Sequence, residues 1–201
     1  MKPVFRYGEK EVNYLKSRDR RLGDVIDRMG PLEVETMPDV FTALVFSIIN
    51  QQVSSKAADT VWTRLLEITG TMTPKTILAT DPEVLQKCGT THKKISYIRG
   101  IADAVTTGQV DFSQLHFMSD QQVIKQLSSL HGIGPWTAEM LLLFSLHRYD
   151  VISYDDLAIR RAMMKLYDLD QLSKEQFQRY RKRYSPYGSV ASLYLWELSV
   201  E

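Results

Sequence analysis

The sequence of 201 residues has only one cysteine, Cys88, and few residues that break regular structure, with 10 glycines and 7 prolines. A single thiol cannot form an internal disulfide, and it cannot supply a four-cysteine zinc or iron–sulfur site. The chain must therefore be stabilised by a hydrophobic core, for which its length and its 44% hydrophobic composition suffice. We expect a globular protein from a reducing compartment.

Long apolar segments are also missing. The longest uncharged stretch, residues 40–55, contains Asn50, Gln51 and Gln52, so it is too short and too polar to span a bilayer. The first twenty residues carry six basic side chains without an apolar segment, so no secretory signal is visible. We expect a protein of the cytoplasm or nucleoid, or of the nucleus in a eukaryote, with no membrane partner.

An excess of one charge is absent as well, because 25 basic side chains face 24 acidic ones and the net charge is +1. Any site for a polyanion must therefore be local. Residues 156–190 are such a region, with eight basic and four acidic side chains. This composition is typical of a surface that faces phosphates, but also of a helix face that is simply solvated.

The spacing of apolar residues is helical nearly throughout and shows no sustained alternation, which predicts an all-α fold. Thr73-Pro74 and Asp81-Pro82 place a capping residue before a proline and predict short helices. Residues 140–146 are apolar nearly all round, which predicts a helix enclosed by protein. Longer helices are predicted over residues 39–49, 54–69, 92–107, 119–129, 135–147, 156–167, 173–184 and 188–200.

The most informative motif lies at residues 130–138, Leu-His-Gly-Ile-Gly-Pro-Trp-Thr-Ala. Gly132 and Gly134 let the backbone take positive φ angles and leave its N–H groups uncovered by side chains. Pro135 suits the first position of a helix, whose free N–H groups and dipole attract anions. The motif predicts a helix, a tight turn and a second helix, with an anion site that fits a DNA phosphate. The alternative is a turn that only joins two helices.

This motif resembles the hairpin of the helix-hairpin-helix (HhH-GPD) DNA glycosylases, in which an essential aspartate follows. Here Asp156 lies 22 positions after Gly134. Residues 41–54, the pair Asp155-Asp156 and residues 192–196 are similar to the monofunctional DNA-3-methyladenine glycosylases of alkylation repair. The resemblance covers residues 37–198, and it implies a DNA glycosylase of base excision repair.

For the fold, the resemblance implies two helical layers around a DNA-facing cleft, in a single domain over residues 1–201. The helix-hairpin-helix is expected at residues 120–147 and the loop of the catalytic aspartate at residues 148–157. The implied partner of this monomer is double-stranded DNA with an alkylated base. No cofactor and no side-chain metal site are implied, although the carbonyls of Leu130 and Ile133 are where relatives suggest a structural Na⁺ or K⁺.

The resemblance also assigns residues to the site. The implied substrate pocket consists of Gln51, Trp136, Met140 and Trp196. The implied DNA contacts are Gln52 as a minor-groove wedge, Gly132, Ile133, Gly134, Thr137, Arg160 and Arg161. Core packing is the alternative for the two tryptophans and Met140, and hydrogen bonding or helix capping is the alternative for the two glutamines.

Asp156 is the implied catalytic residue. Cleavage of a base–sugar bond develops positive charge on the sugar, which a fixed carboxylate stabilises directly or by activating water. A base alkylated on a ring nitrogen is already cationic and departs readily, which suits a sequence with no paired acid near Asp156. Indole faces attract cationic purines.

The alternative for Asp155-Asp156 is capping of the next helix, since Ser153 and Asp156 fit a capping box.

The sequence departs from the family pattern in the loop before the aspartate and at Tyr184 and Tyr187, where tryptophan or arginine is common in relatives. Relatives that also cut the strand place a nucleophilic lysine two residues after the second glycine, where this chain has Trp136. Because an indole cannot form a Schiff base, lyase chemistry by that route is excluded. The loop before the aspartate, residues 147–153, contains neither glycine nor proline, unlike its counterpart in the family.

Three other functions are compatible with the sequence alone. The first is a glycosylase for uracil, hypoxanthine or oxidised guanine, since one fold hosts many specificities. The second is a hairpin-containing DNA-binding module without catalysis, in which Asp156 only caps its helix. The third is a helical protein-interaction domain, for which salt-sensitive DNA binding would be absent.

Overall fold

The computed structural model describes residues 3–201, which form helices and connecting loops. Within this range the extended backbone makes an isolated antiparallel bridge between Val4 and Glu35 and no strand. The all-α prediction is therefore confirmed. The helices are α1 (Glu9–Arg18), α2 (Arg20–Met29), α3 (Val40–Asn50), α4 (Ser55–Thr69), α5 (Pro74–Ala79), α6 (Pro82–Gln86), α7 (His92–Thr106), α8 (Asp120–Leu127), α9 (Pro135–Phe144), α10 (Leu157–Tyr167), α11 (Lys174–Tyr184) and α12 (Gly188–Val200), with a 3-10 helix (Phe112–Phe117) before α8.

Several helix ends lie where the capping residues predict them. The Asp39 side chain accepts a hydrogen bond from the Thr42 amide and starts α3, and Ser54 does the same for α4. Gly70 ends α4 with a φ of +68°. The short helices α5 and α6 each begin at their proline. These boundaries are encoded within a few residues, which is why the sequence predicts them.

The helices α1 and α2 were not predicted. The α1 sequence is strongly polar and buries only Leu15 among its residues, so its apolar spacing is weak. The α2 sequence contains Gly23 but places Leu22, Val25 and Ile26 on its buried face, after an Asp19 cap. The Asp19 cap and the spacing of these apolar residues are the signals in the sequence that indicate α2.

Helix α9 is shorter than predicted, since it ends at Phe144 and the following His147 has a φ of +53°. The predicted enclosure on all sides holds for Leu141–Leu143, which are buried. It is wrong for Met140 and Phe144, which lie four residues apart and are only half-buried. One stripe of α9 therefore remains accessible.

The chain forms two compact units. The terminal unit comprises the chain up to Thr36 together with Leu142–Glu201, and the inner unit comprises Met37–Leu141. In the inner unit α7 packs against α3, α5 and α6. In the terminal unit α12 packs against α1, α2, α10 and α11. No helix in residues 3–201 is both long and apolar enough to cross a membrane.

A buried carboxylate connects three helices of the terminal unit. Asp19 accepts hydrogen bonds from the Leu22 amide at 3.1 Å, the Tyr167 hydroxyl at 2.6 Å and the Arg183 guanidinium at 3.0 Å. Tyr167 is also hydrogen-bonded to Tyr184. Burial raises the pKa of both tyrosines above the ordinary value. The hydrogen bond to Asp19 raises the pKa of Arg183 as well.

Candidate active site and nucleic-acid interface

The predicted hairpin is formed by the turn between α8 and α9, and its two glycines have different roles. Gly132 has a φ of +90°, and a Cβ atom there would lie 2.4 Å from Cδ2 of Tyr97. Gly134 has no positive φ, and no heavy atom of the described residues lies within 4 Å of its hypothetical Cβ. The fold therefore requires Gly132, while the surface of Gly134 is open to a ligand.

The loop between α3 and α4 carries the two predicted glutamines. Gln52 is exposed and has a φ of +55°, so it lies at the tip of this loop. Gln51 instead donates from Nε2 to the Gly132 carbonyl at 2.8 Å. Lys94 Nζ donates to the carbonyls of Ile49 and Gln51. Gln51 thus supports the hairpin through this hydrogen bond, and it also lines the cavity beside the hairpin.

An open cavity of about 860 Å³ adjoins this loop and the hairpin, entirely within the inner unit. Gln52, Lys93 and Trp136 contribute to its walls, together with Gln51 and Gly132. The Trp136 side chain is 45% exposed, so it is not a core residue. The cavity therefore combines a positively charged rim with an accessible indole.

The Asp156 carboxylate in the terminal unit has two differently engaged oxygens. Oδ1 accepts hydrogen bonds from the amides of Ala158 and Ile159, both at 2.9 Å, and so caps α10. Oδ2 accepts a hydrogen bond from Nε1 of Trp196 at 3.2 Å. The residue is 6% exposed. One oxygen therefore caps the helix, while the other is held by the Trp196 indole.

The capping box predicted for Ser153 and Asp156 is wrong. Asp156 is itself the cap, because α10 begins at Leu157. Ser153 is fully buried, and its hydroxyl has no hydrogen-bond partner among the described residues. Asp155 is exposed. The distinction between the two aspartates is thus clear from their burial.

The structure brings Trp196 to Asp156, as the predicted site requires. Trp196 is half-buried on α12, and its ring stacks on that of Phe144 with centroids 5.5 Å apart and planes at 23°. The indole therefore packs through its face and donates through its edge. Its N–H group orients the carboxylate oxygen that does not cap the helix.

The loop from Arg148 to Asp156 is fixed by α12 in place of glycine or proline. Ser189 Oγ donates to the Arg148 carbonyl at 2.5 Å and accepts from the Val151 amide at 2.9 Å. Ser192 Oγ donates to the Val151 carbonyl at 2.9 Å. Ser189, Ser192 and Trp196 follow one another at three- and four-residue spacing, so one face of α12 positions the whole loop.

Asp150 provides a second anchor for this loop. It accepts a hydrogen bond from the Ser185 hydroxyl at 2.6 Å and another from the Gly188 amide at 3.1 Å. A Cβ at Gly188 would lie 2.8 Å from Oδ1 of Asp150, so a larger residue there would displace this carboxylate. Sequence reasoning missed Asp150, Ser189 and Gly188, because their pairing is between distant segments.

The remaining predicted DNA contacts differ in exposure. The side chains of Ile133 and Thr137 are buried, which leaves their main-chain groups for a ligand. Arg161 is exposed, whereas Arg160 is half-buried with its guanidinium 5.2 Å from the Tyr154 ring centroid. The Leu130 carbonyl accepts a hydrogen bond from the Ile133 amide at 3.1 Å.

A side-chain metal centre is not formed by the described part of the chain. No group of three or more histidine, cysteine, aspartate or glutamate side chains within residues 3–201 could bind a metal ion. The single cysteine, Cys88, is buried in the inner unit, and burial raises its thiol pKa. The predicted site residues include a carboxylate and two indoles.

Known proteins that are similar to this chain identify its family. Residues 45–186 match the model of the HhH-GPD superfamily base excision DNA repair proteins. DNA-3-methyladenine glycosylase 1 of Schizosaccharomyces pombe is 30% identical over 185 residues, which cover 90% of this chain and 81% of the relative.

Two solved structures are similar over almost their whole length. The DNA-3-methyladenine glycosidase of Bacillus halodurans has a TM-score of 0.87 and 34% identity, covering 98% of this chain and 92% of its own. A 3-methyladenine DNA glycosylase of Schizosaccharomyces pombe, in complex with abasic DNA, has a TM-score of 0.82 and 30% identity, covering 94% and 95%. The hairpin, the spaced aspartate and these likenesses together show that the chain belongs to the HhH-GPD superfamily of base excision DNA repair proteins.

Proposed function

We propose that this protein, an alkylbase DNA glycosylase of base excision repair, is monofunctional and releases cationic purines such as 3-methyladenine and 7-methylguanine from double-stranded DNA. The observation that supports this most directly is the Asp156 carboxylate, oriented by two amides and the Trp196 indole. The names of the similar proteins, which are 3-methyladenine glycosylases, point to the same substrate class.

Asp156 acts on the sugar in this proposal. The amides of Ala158 and Ile159 and the indole N–H of Trp196 donate hydrogen bonds to its two oxygens. As the base–sugar bond lengthens, positive charge develops on the sugar, and a fixed carboxylate stabilises it or accepts a proton from the attacking water. No reorientation is needed during the reaction because the N-cap contacts and the indole already fix the side chain.

The leaving base requires less from the protein. A purine alkylated on a ring nitrogen carries a positive charge that the bond cleavage neutralises, so a second carboxylic acid is unnecessary. Indole faces attract such cations, and the residues we assign to the pocket are Gln51, Trp136, half-buried Met140 and Trp196. Trp136 also stands where strand-cutting relatives place lysine, so we expect no Schiff base with the abasic sugar.

We assign the grip on DNA mainly to the inner unit. The open backbone at Gly134 and the first-turn amides of α9 suit a phosphate, and exposed Gln52 suits a wedge that fills the gap left by the extruded base. Arg160 and Arg161 add phosphate contacts from the terminal unit. A monomer suffices for one lesion. A structural Na⁺ or K⁺ on the carbonyls of Leu130 and Ile133 is the one ion we propose, with no other cofactor.

Incubation with methylated DNA, followed by chromatography of the released bases, tests this function. We expect 3-methyladenine and 7-methylguanine to appear, and the rate to fall by about 10²–10³-fold in D156N. The exposed neighbour gives a matched control, D155N, which should keep the wild-type rate. Binding of D156N to abasic DNA should persist. Unchanged release by D156N would contradict the catalytic role.

Duplexes with uracil, hypoxanthine or oxidised guanine complete the same assay. These bases are neutral, so their departure without a second acid should be slow. Release of one of them at a rate above that of the methylated purines would replace the proposed substrate class. Trapping with borohydride should give no covalent complex with DNA, and a trapped complex would contradict the monofunctional assignment.

A further inference from the structure

The Lys94 side chain connects α7 with the end of α3. Lys94 lies in the first turns of α7, and its Nζ donates to the carbonyl of Ile49 at 2.9 Å and to that of Gln51 at 2.7 Å. The side chain is half-buried, and burial lowers the pKa of the Lys94 ammonium below its ordinary value. The Lys94 ammonium therefore lies in a partly desolvated position, where it binds two main-chain oxygens.

These two oxygens belong to the end of a helix. The last carbonyls of an α-helix lack partners within it, and a cation near them also complements the helix dipole. Gln51 caps α3, and Gln52 follows directly with a φ of +55°. Lys94 thus fixes the backbone from which the exposed Gln52 side chain projects.

The same face of α7 contacts the hairpin. Tyr97, one turn after Lys94, packs so tightly on Gly132 that no Cβ fits there. The Gln51 side chain then links the two loops by its hydrogen bond to the Gly132 carbonyl. All of these groups lie in the inner unit, so the loop with Gln52 and the hairpin share one support.

We propose that Lys94 is a positioning residue for base extrusion, which keeps Gln52 in register with the hairpin while the wedge enters the duplex. The proposal rests on the proposed function, since it needs Gln52 to be the wedge. A wedge must resist the stacking forces of the bases that it separates. Because the Lys94 ammonium binds two of its carbonyls, the loop keeps its conformation while Gln52 separates the bases. Without this support the loop moves, and the extruded nucleotide stacks again in the duplex.

Fluorescence of 2-aminopurine measures the entry of the wedge. The probe is a duplex with a tetrahydrofuran abasic analogue opposite 2-aminopurine, which brightens when it is unstacked. We expect K94M to lose most of the fluorescence rise and to release 7-methylguanine about tenfold more slowly, since hydrogen bonds of a charged group are lost. Its affinity for undamaged duplex should stay within twofold of wild type, and K94R should restore the rise. K75M, which removes an exposed lysine from α5 in the same unit, is the charge-matched control.

A double-mutant cycle with Q52A separates positioning from general stability. If Lys94 acts through Gln52, K94M has little further effect in the Q52A background, whereas a merely structural lysine lowers the rate equally in both. Equal losses, or a full fluorescence rise in K94M, would overturn the proposal. If K94M does not fold, K94Q, which keeps a neutral NH2 donor group but loses the charge, takes its place in the cycle. A wild-type protein that neither brightens the probe nor releases bases would refute the proposed function, and this role with it.

Discussion

The hairpin of the inner unit and the aspartate loop of the terminal unit are constructed in opposite ways. The hairpin owes its sharp turn to its own residues, with Gly132 at a positive φ and Pro135 opening α9, although Tyr97 and the Gln51 amide of the same unit also contact it. The aspartate loop has no such residues, and its shape depends on hydrogen bonds from Ser189 and Ser192 of a distant helix. We therefore expect the hairpin to be sensitive to substitutions in the turn itself. The aspartate loop should instead be sensitive to substitutions in the helix that holds it.

The largest expected effect is at the hairpin. G132A should lower the free energy of unfolding by about 3 kcal/mol, because alanine is strained at this φ and its methyl group collides with Tyr97. Urea unfolding measures the change. The matched variant G134A should alter stability by no more than about 0.5 kcal/mol, since its site is open, but should weaken binding to abasic DNA. Equal stability losses in the two variants would contradict the division of roles between the glycines.

The dependence of the aspartate loop on α12 is tested by S189A. This change leaves the buried Val151 amide without its partner and should cost about 2 kcal/mol of stability. The single-turnover rate of base release should fall more than the affinity for abasic DNA, because the carboxylate is displaced while the DNA grip persists. S199A is the control on the same helix, since its hydroxyl bonds only to the Trp196 carbonyl. If S189A lowers the rate of base release and the affinity for abasic DNA by the same factor, α12 does not position the carboxylate.

A smaller effect is expected from W196F, which removes the N–H donor to Asp156 and keeps an aromatic ring against Phe144. Base release should slow about tenfold, equivalent to about 1.4 kcal/mol, with little change in thermal stability. Single-turnover kinetics and a melting curve measure the two quantities. An unchanged rate would mean that the Trp196 N–H group is not needed to orient the carboxylate.

The smallest effect at neutral pH concerns the buried tyrosines of the terminal unit. Because their folded pKa is raised, Tyr167 and Tyr184 contribute stability below the ordinary tyrosine pKa, and it is lost as pH rises above about 10. Each contributes a slope of about 1.4 kcal/mol per pH unit. Unfolding at pH 9 to 11 should show a shallower slope in Y167F.

The predictable parts of the molecule are those encoded locally. The caps Asp39 and Ser54 and the helix-starting prolines gave correct boundaries for α3 to α6. The hairpin and the spacing to Asp156 were readable for the same reason. By contrast, the burial of Ile133 and Thr137 and the end of α9 at Phe144 depend on packing that no short motif contains.

The side chains of the site show the same limit. The sequence allows Asp156 to be either a helix cap or a catalytic carboxylate, and its two oxygens allow both roles at once. Gln51 was placed in the pocket by resemblance, yet its amide reaches a carbonyl 81 residues away in sequence. The type of these residues was readable, but their partners required the folded chain.

The single face of α12 that bears Ser189, Ser192 and Trp196 has a consequence for protein engineering. Loops around an active site are usually exchanged between relatives as short cassettes. Here a transplanted aspartate loop would arrive without its anchors unless the C-terminal helix travelled with it. The loop and α12 therefore form one structural unit, although about thirty residues of chain separate them. A chimaera should exchange both segments together.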